Sequence, residues 1–148
     1  MSKYLIIQNE REKNELENPA IEFPYKLDTF QHNAALSIEN GNENVLVVAH
    51  TSAGKSTVAE YAIAKAFQLN KKIIYCSPIK TLSNQKFRDF KNKFGDNIGI
   101  MTGDIKLNPD AQCLIMTTEI LRNKLYKNSQ FLEDVLYVVY DEIHYFND

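Results

Sequence analysis

The sequence predicts an α/β fold built on a mostly parallel sheet with helices on both faces. Three observations predict it. Short, wholly apolar runs rich in β-branched residues recur along the 148 residues. Stretches with apolar residues at helical spacing separate them. The residues with the most chemistry follow directly after the runs, which is where ligands of such sheets bind.

The elements are expected in this order. Residues 1–20 are polar and acidic and close at Pro19, a loosely packed lead-in. Val45–Ala49 is a strand buried on both faces, and Thr51–Gly54 is a turn. Lys55–Gln68 is a helix with Val58, Ala59, Ala62, Ile63, Ala66 and Phe67 at helical spacing, closed by Asn70. Lys72–Cys76 is the next strand. Thr81–Phe94 is a helix with Leu82, Phe87, Phe90 and Phe94 on one side, ended by Gly95. Ile98–Thr102 and Cys113–Thr117 are strands, Thr118–Lys127 is a helix, and Val135–Tyr140 is a last strand that runs into Asp141 and Glu142. His32 reads as a surface helix position and His50 as a solvated loop residue. Cys76 and Cys113 lie in apolar runs and read as buried small hydrophobes.

Composition excludes several classes. Hydrophobic residues at 44% and charged residues at 24% suffice for one ordinary core. No apolar run reaches the roughly 18 residues a bilayer crossing needs. The first residues lack a signal peptide's apolar stretch and cleavage site, so an intracellular protein with no membrane attachment is expected. A net charge of −2 argues against a basic nucleic-acid coat. The charge is uneven, however: residues 71–93 hold seven bases (Lys71, Lys72, Lys80, Lys86, Arg88, Lys91, Lys93) against Asp89 alone. Taken alone, that run would be a solvated helix face.

Ala49-His-Thr-Ser-Ala-Gly-Lys55-Ser56 fits the phosphate-loop pattern G-x-x-x-x-G-K-[ST] except that Ala49 stands for the first Gly. Gly54 lets the amides of Thr51, Ser52, Ala53 and Gly54 turn inward on phosphate oxygens. The helix start through Thr57 adds unpaired N–H groups and a positive dipole end. Lys55 reaches the β- and γ-phosphates of ATP, and Ser56 offers a hydroxyl to Mg²⁺. Such a site also needs a carboxylate for the metal and a group that orients water. Asp141 and Glu142 supply them after an apolar strand, and His144 would face the nucleic-acid side. Lys55, Asp141 and Glu142 are thus expected to converge on one triphosphate.

These residues, followed in order through SPIKTLSNQ, TGD, NPDA, MTTEIL and DEIH, closely resemble the Ski2-like branch of superfamily-two DExH-box RNA helicases, from about Phe23 to the last residue. The resemblance implies a RecA-like P-loop fold and residues 21–148 as the first motor domain. It implies that Gln31 reads adenine through its amide and that Tyr25, where the family more often has Phe, stacks on the base; a core aromatic is the alternative for Tyr25. It implies contacts to single-stranded RNA from Pro78, Lys80, Thr81, Asn84 and Gln85, from Thr102, Gly103 and Asp104, and from Thr117, Thr118 and Glu119. It further implies 3′-to-5′ unwinding tied to exosome-linked decay, partners of exosome or superkiller type, and cytoplasmic localisation with the nucleus as alternative. The family's second motor domain is not reached by residue 148, so a fragment or truncated product with very weak hydrolysis of its own is expected. A non-catalytic nucleotide- or RNA-binding fragment, a DNA helicase of a neighbouring branch and a small P-loop kinase are the competing readings; the kinase would need an Arg-rich lid that the chain does not display.

Overall fold

Where the predicted elements fall is seen in a computed structural model that describes residues 14–41 and 54–141. The chain divides into two compact units, one up to Lys65 and one from Ala66 onward. The expected strand Val45–Ala49 lies outside the described residues.

In the first unit, helix α1 spans Thr29–Asn40. Gln31 Oε1 accepts the Asp28 N–H at 2.9 Å, one arm of a capping box. Gly41, at φ 72°, closes the helix and donates its N–H to the Ser37 carbonyl. Gln31, His32 and Asn33 are all buried. His32 is therefore not the surface position that the sequence suggested: it is 2% exposed, and its Nε2 pairs with the Asn14 carbonyl at 3.0 Å. A buried imidazole needs such a partner, and only the fold brings Asn14 to it.

Helix α2 spans Lys55–Gln68. Tyr61 is almost fully buried, and its hydroxyl accepts the Ala20 N–H at 3.1 Å. The same hydroxyl donates to Glu39 Oε1, and Lys65 Nζ donates to Glu39 Oε2 at 2.7 Å. Residues 14–20 are thus tied through both Asn14 and Ala20. Burial alone would raise the Glu39 carboxyl's pKa, but hydrogen bonds from Lys65 and Tyr61 and the Lys65 charge outweigh it and leave it below the usual value.

The helix ends as the sequence predicts, at Asn70. That residue takes φ 51°, its N–H reaches the Phe67 carbonyl, and the Lys71 N–H reaches the Ala66 carbonyl, a Schellman closure.

The second unit is a five-stranded sheet. Its strands are β1 (Lys72–Ser77), β2 (Ile98–Met101), β3 (Lys106–Leu107), β4 (Cys113–Thr117) and β5 (Val135–Tyr140), in the spatial order β3-β2-β4-β1-β5. All pairings are parallel except the β2–β3 hairpin at one edge. Helix α3 (Lys80–Phe94) connects β1 to β2, and α4 (Thr118–Lys127) connects β4 to β5.

Successive strand residues face opposite sides, and this sorts the core into two layers. Ile74, Cys76, Leu114, Met116 and Met101 pack with Leu121 and Ile120 of α4 on one face. Tyr75 lies on the other face and meets Phe90 of α3 edge-on at 5.2 Å between ring centroids. The chain moves one way along the sheet through α3 and the other way through α4. Right-handed crossovers then require the helices to take opposite faces, as they do.

Strand β3 has no counterpart among the elements expected from the sequence: two exposed residues are too few for a periodicity. Gly99 lets it approach β2 closely, for a Cβ there would lie 2.0 Å from the Asn108 carbonyl oxygen. Cys76 and Cys113 are free and buried, as expected, and burial pushes the Cys113 thiol up to about 12.

Glu39→Gln tests the first unit's network. A carboxylate whose folded pKa is depressed stabilises above its unfolded pKa, about 4.3, and loses that contribution as pH falls through the folded value. The variant is expected to melt below the parent at pH 7, with a narrower gap at pH 3, on the acid side of the unfolded value. Thermal unfolding at both pH values checks this.

Candidate functional site

The parallel strands of the second unit end in register, so the residues that come after them share one rim. After β1 come Pro78, Ile79 and Lys80; after β2 come Thr102, Gly103 and Asp104; after β4 come Thr118 and Glu119; after β5 comes Asp141. Three separate stretches for which the family resemblance implies RNA contact are brought together there with the expected metal carboxylate.

The rim is built from short polar contacts. Thr102 is buried, and its Oγ1 accepts the amides of Asp104 at 3.3 Å and Ile105 at 3.2 Å, which forms the turn. Its neighbour Gly103 sits against Lys80, whose Nζ would lie 3.4 Å from a Cβ added there. Lys80 Nζ pairs with Asp104 Oδ2 at 2.8 Å, with both side chains more than half exposed. Such a pair is worth little net, so the ammonium remains exchangeable with another anion.

Helices α3 and α4 both begin at this rim, and neither Ile79 nor Thr117 caps its helix with a side chain. Their first amides therefore offer donors and a positive dipole end on the same side of the sheet. Thr117 itself is buried, so contact from that position would come from the backbone and from Thr118 and Glu119. Thr118 Oγ1 receives the Cys76 thiol at 3.6 Å. Gln85 is engaged along its own helix: it donates to Asp89 at 2.8 Å and accepts from Arg88 at 2.9 Å. Thr81 is exposed and Asn84 half-buried on that helix.

Asp141 is held by strand β1 through both backbone and side chain. Its N–H donates to the Cys76 carbonyl at 2.9 Å, extending the β1–β5 ladder by one step. Its Oδ2 accepts the Tyr75 hydroxyl at 2.5 Å. Tyr75 is a residue that sequence reasoning missed; a Tyr inside an apolar strand reads as core until the register shows what lies beside it. Ser77, on the same face, is fully buried, and its Oγ has no partner among the described residues.

The first unit holds the described part of the stretch expected to form a phosphate loop. Gly54 takes φ 84°, a conformation suited to glycine. Its carbonyl accepts Gln31 Nε2 at 3.0 Å and the Thr57 N–H at 3.2 Å. A Cβ at Gly54 would stand 2.5 Å from Gln31 Nε2. Thr57 Oγ1 pairs with the Tyr25 hydroxyl at 2.9 Å. Tyr25 is half exposed and lies tilted against Phe23, with ring centroids 5.5 Å apart. The stretch around Tyr25 and Gln31 is thus joined to the start of α2, where Lys55 is half-buried and Ser56 exposed. Gln31 spends one lone pair and one N–H on these contacts; an amide has two of each. Thr51, Ser52, Ala53, Glu142 and His144 lie outside the described residues.

A parallel α/β sheet with its polar motifs on the carboxyl rim defines the broad class. The DEAD/DEAH box helicase family matches residues 28–148, and the chain belongs to that family. It is 60% identical over 132 residues to the Antiviral helicase SKI2 of Saccharomyces cerevisiae, covering 88% of this chain and 10% of that protein. It is 55% identical over 130 residues to the human Superkiller complex protein 2, covering 88% and 10%. It is 54% identical over 130 residues to the ATP-dependent RNA helicase mtr4 of Schizosaccharomyces pombe, covering 88% and 12%. The chain thus spans about a tenth of the length of these curated relatives. No helix among the described residues is long and apolar enough to cross a membrane.

Thr102→Val keeps the shape and removes the hydroxyl that serves two amides. It is expected to cost about 0.5–1.5 kcal/mol, the net worth of a typical hydrogen bond, because the two amides lie in a turn that is partly open to solvent. Chemical denaturation of the variant and the parent measures it.

Proposed function

We propose that this chain is the ATP-binding first motor segment of an ATP-dependent RNA helicase. The single observation that carries the proposal is the gathering of three RNA-type motifs and Asp141 on one rim of a parallel sheet, in a chain of the DEAD/DEAH box helicase family.

Lys55 would hold the β- and γ-phosphates, and the amides at the start of α2 would face their oxygens. Tyr25 would stack on adenine, tethered by Thr57, and the remaining lone pair and N–H of Gln31 would read the base edge. The oxygen donors Ser56 and Asp141 suit Mg²⁺, a hard cation. When bound, Mg²⁺ would neutralise charge developing on the phosphates. Glu142 would orient the attacking water, and His144 would report the nucleotide state to the RNA side.

The exposed starts of α3 and α4, with Lys80 between its partner Asp104 and solvent, suit the phosphate backbone of single-stranded RNA. Backbone contact carries no base information, which fits movement along any sequence. Within a helicase of the relatives' length, this segment would couple hydrolysis to 3′-to-5′ unwinding for exosome-linked decay. The relatives' names favour a superkiller-type complex as partner, and with it cytoplasmic localisation.

Lys55→Ala is expected to weaken ATP binding at least about tenfold, the loss of one charge-assisted contact; an unchanged dissociation constant removes the phosphate-loop assignment. Lys80→Glu is expected to weaken single-stranded RNA binding and to flatten its dependence on log salt by about 0.7 or more. Titrations at several salt concentrations check it, and affinity indifferent to both salt and substitution removes the RNA assignment.

A further inference from the structure

The contact between Tyr75 and Asp141 carries a role beyond packing. Tyr75 is central in β1, 2% exposed, and paired in register with Val139 of β5. Asp141 lies two residues after Val139, hence on the same face of the sheet. The phenol reaches forward along that face and donates to Oδ2 at 2.5 Å. Its ring cannot swing away easily, because Phe90 of α3 abuts it edge-on, with the planes 79° apart. The carboxylate's backbone is fixed by the Asp141 N–H on the Cys76 carbonyl. Backbone and side chain of Asp141 are therefore both set by β1, the one through a carbonyl and the other through a phenol.

An aspartate's terminal torsion is broad and two-fold, so the chain alone does not choose how its oxygens point. A charge-assisted O–H···O⁻ bond does. We propose that Tyr75 is a positioning residue for the metal-binding carboxylate: its hydroxyl holds one oxygen of Asp141 and so orients the group toward Mg²⁺–nucleotide. This rests on Asp141 serving the metal, as proposed above. A buried phenol also wants a partner for its own sake, so the test must separate orientation from simple satisfaction of the hydroxyl.

Ser77 provides an internal control. It lies on the same face, two residues beyond Tyr75, and its buried hydroxyl bonds nothing among the described residues. Removing that hydroxyl should alter neither orientation nor binding.

The experiment measures ATP affinity of the full chain with Mg²⁺ and with EDTA, for the parent and for Tyr75→Phe, Ser77→Ala and Asp141→Asn. The metal-dependent gain in affinity is the readout. Tyr75→Phe is expected to lower that gain about tenfold, the scale of one hydrogen bond to a charged group, while leaving metal-free affinity unchanged. Ser77→Ala is expected to match the parent, and Asp141→Asn to lose the gain. If Asp141→Asn loses the gain and Tyr75→Phe keeps it, the positioning role is overturned and the metal role stands. If Asp141→Asn keeps the gain, the metal role falls and the positioning role with it. A Tyr75→Phe chain that binds metal-free ATP more weakly as well would mark Tyr75 as a packing residue and overturn the proposal.

Discussion

The two-sided burial of β1 is the constraint on which the unit from Ala66 onward depends. Ile73 to Ser77 are all buried, with strands on both edges and helices on both faces. Alternation sends Ile74 and Cys76 to one layer and Tyr75 to the other, so a register slip of one residue would exchange the layers entirely. Parallel pairing with β4 and β5 then carries the carboxyl ends of three strands to the same rim. The candidate stretches are far apart in sequence, and the sheet makes them neighbours.

In the unit up to Lys65, small apolar residues are joined by polar contacts that each have one geometry. Gln31 links Asp28 to Gly54, Tyr25 links to Thr57, and Glu39 gathers Lys65 and Tyr61. Hydrogen bonds of this kind specify orientation more than they add stability. That suits the role proposed above for Tyr25 and Gln31, because a preorganised surface loses less freedom on binding.

Much of this was legible in the sequence. Apolar runs set four of the five strands to within a residue or so, and helical spacing with Asn70 and Gly95 set α2 and α3. These signals are local, and burial on both faces amplifies them. The rim was legible too, because the topology of such sheets gathers the residues just past each parallel strand at one edge. The features that escaped have a common cause. β3 exists because Gly99 admits the Asn108 carbonyl; His32 is buried because Asn14 meets it; Tyr75 meets Asp141 because β5 lies beside β1 and Asp141 directly follows it. Each depends on a partner distant in sequence, and no periodicity encodes such a partner.

In the proposed function, the first turns of α3 and α4 and the Thr102–Asp104 turn at the carboxyl rim grip an RNA backbone. Hydrogen–deuterium exchange of the chain with and without single-stranded RNA tests it most directly. Slowed exchange is expected at the first amides of α3 and α4 and at Gly103 and Asp104, with little change at the opposite edge around Ala111 and Gln112. Protection concentrated at that opposite edge, with the rim unaffected, would contradict it.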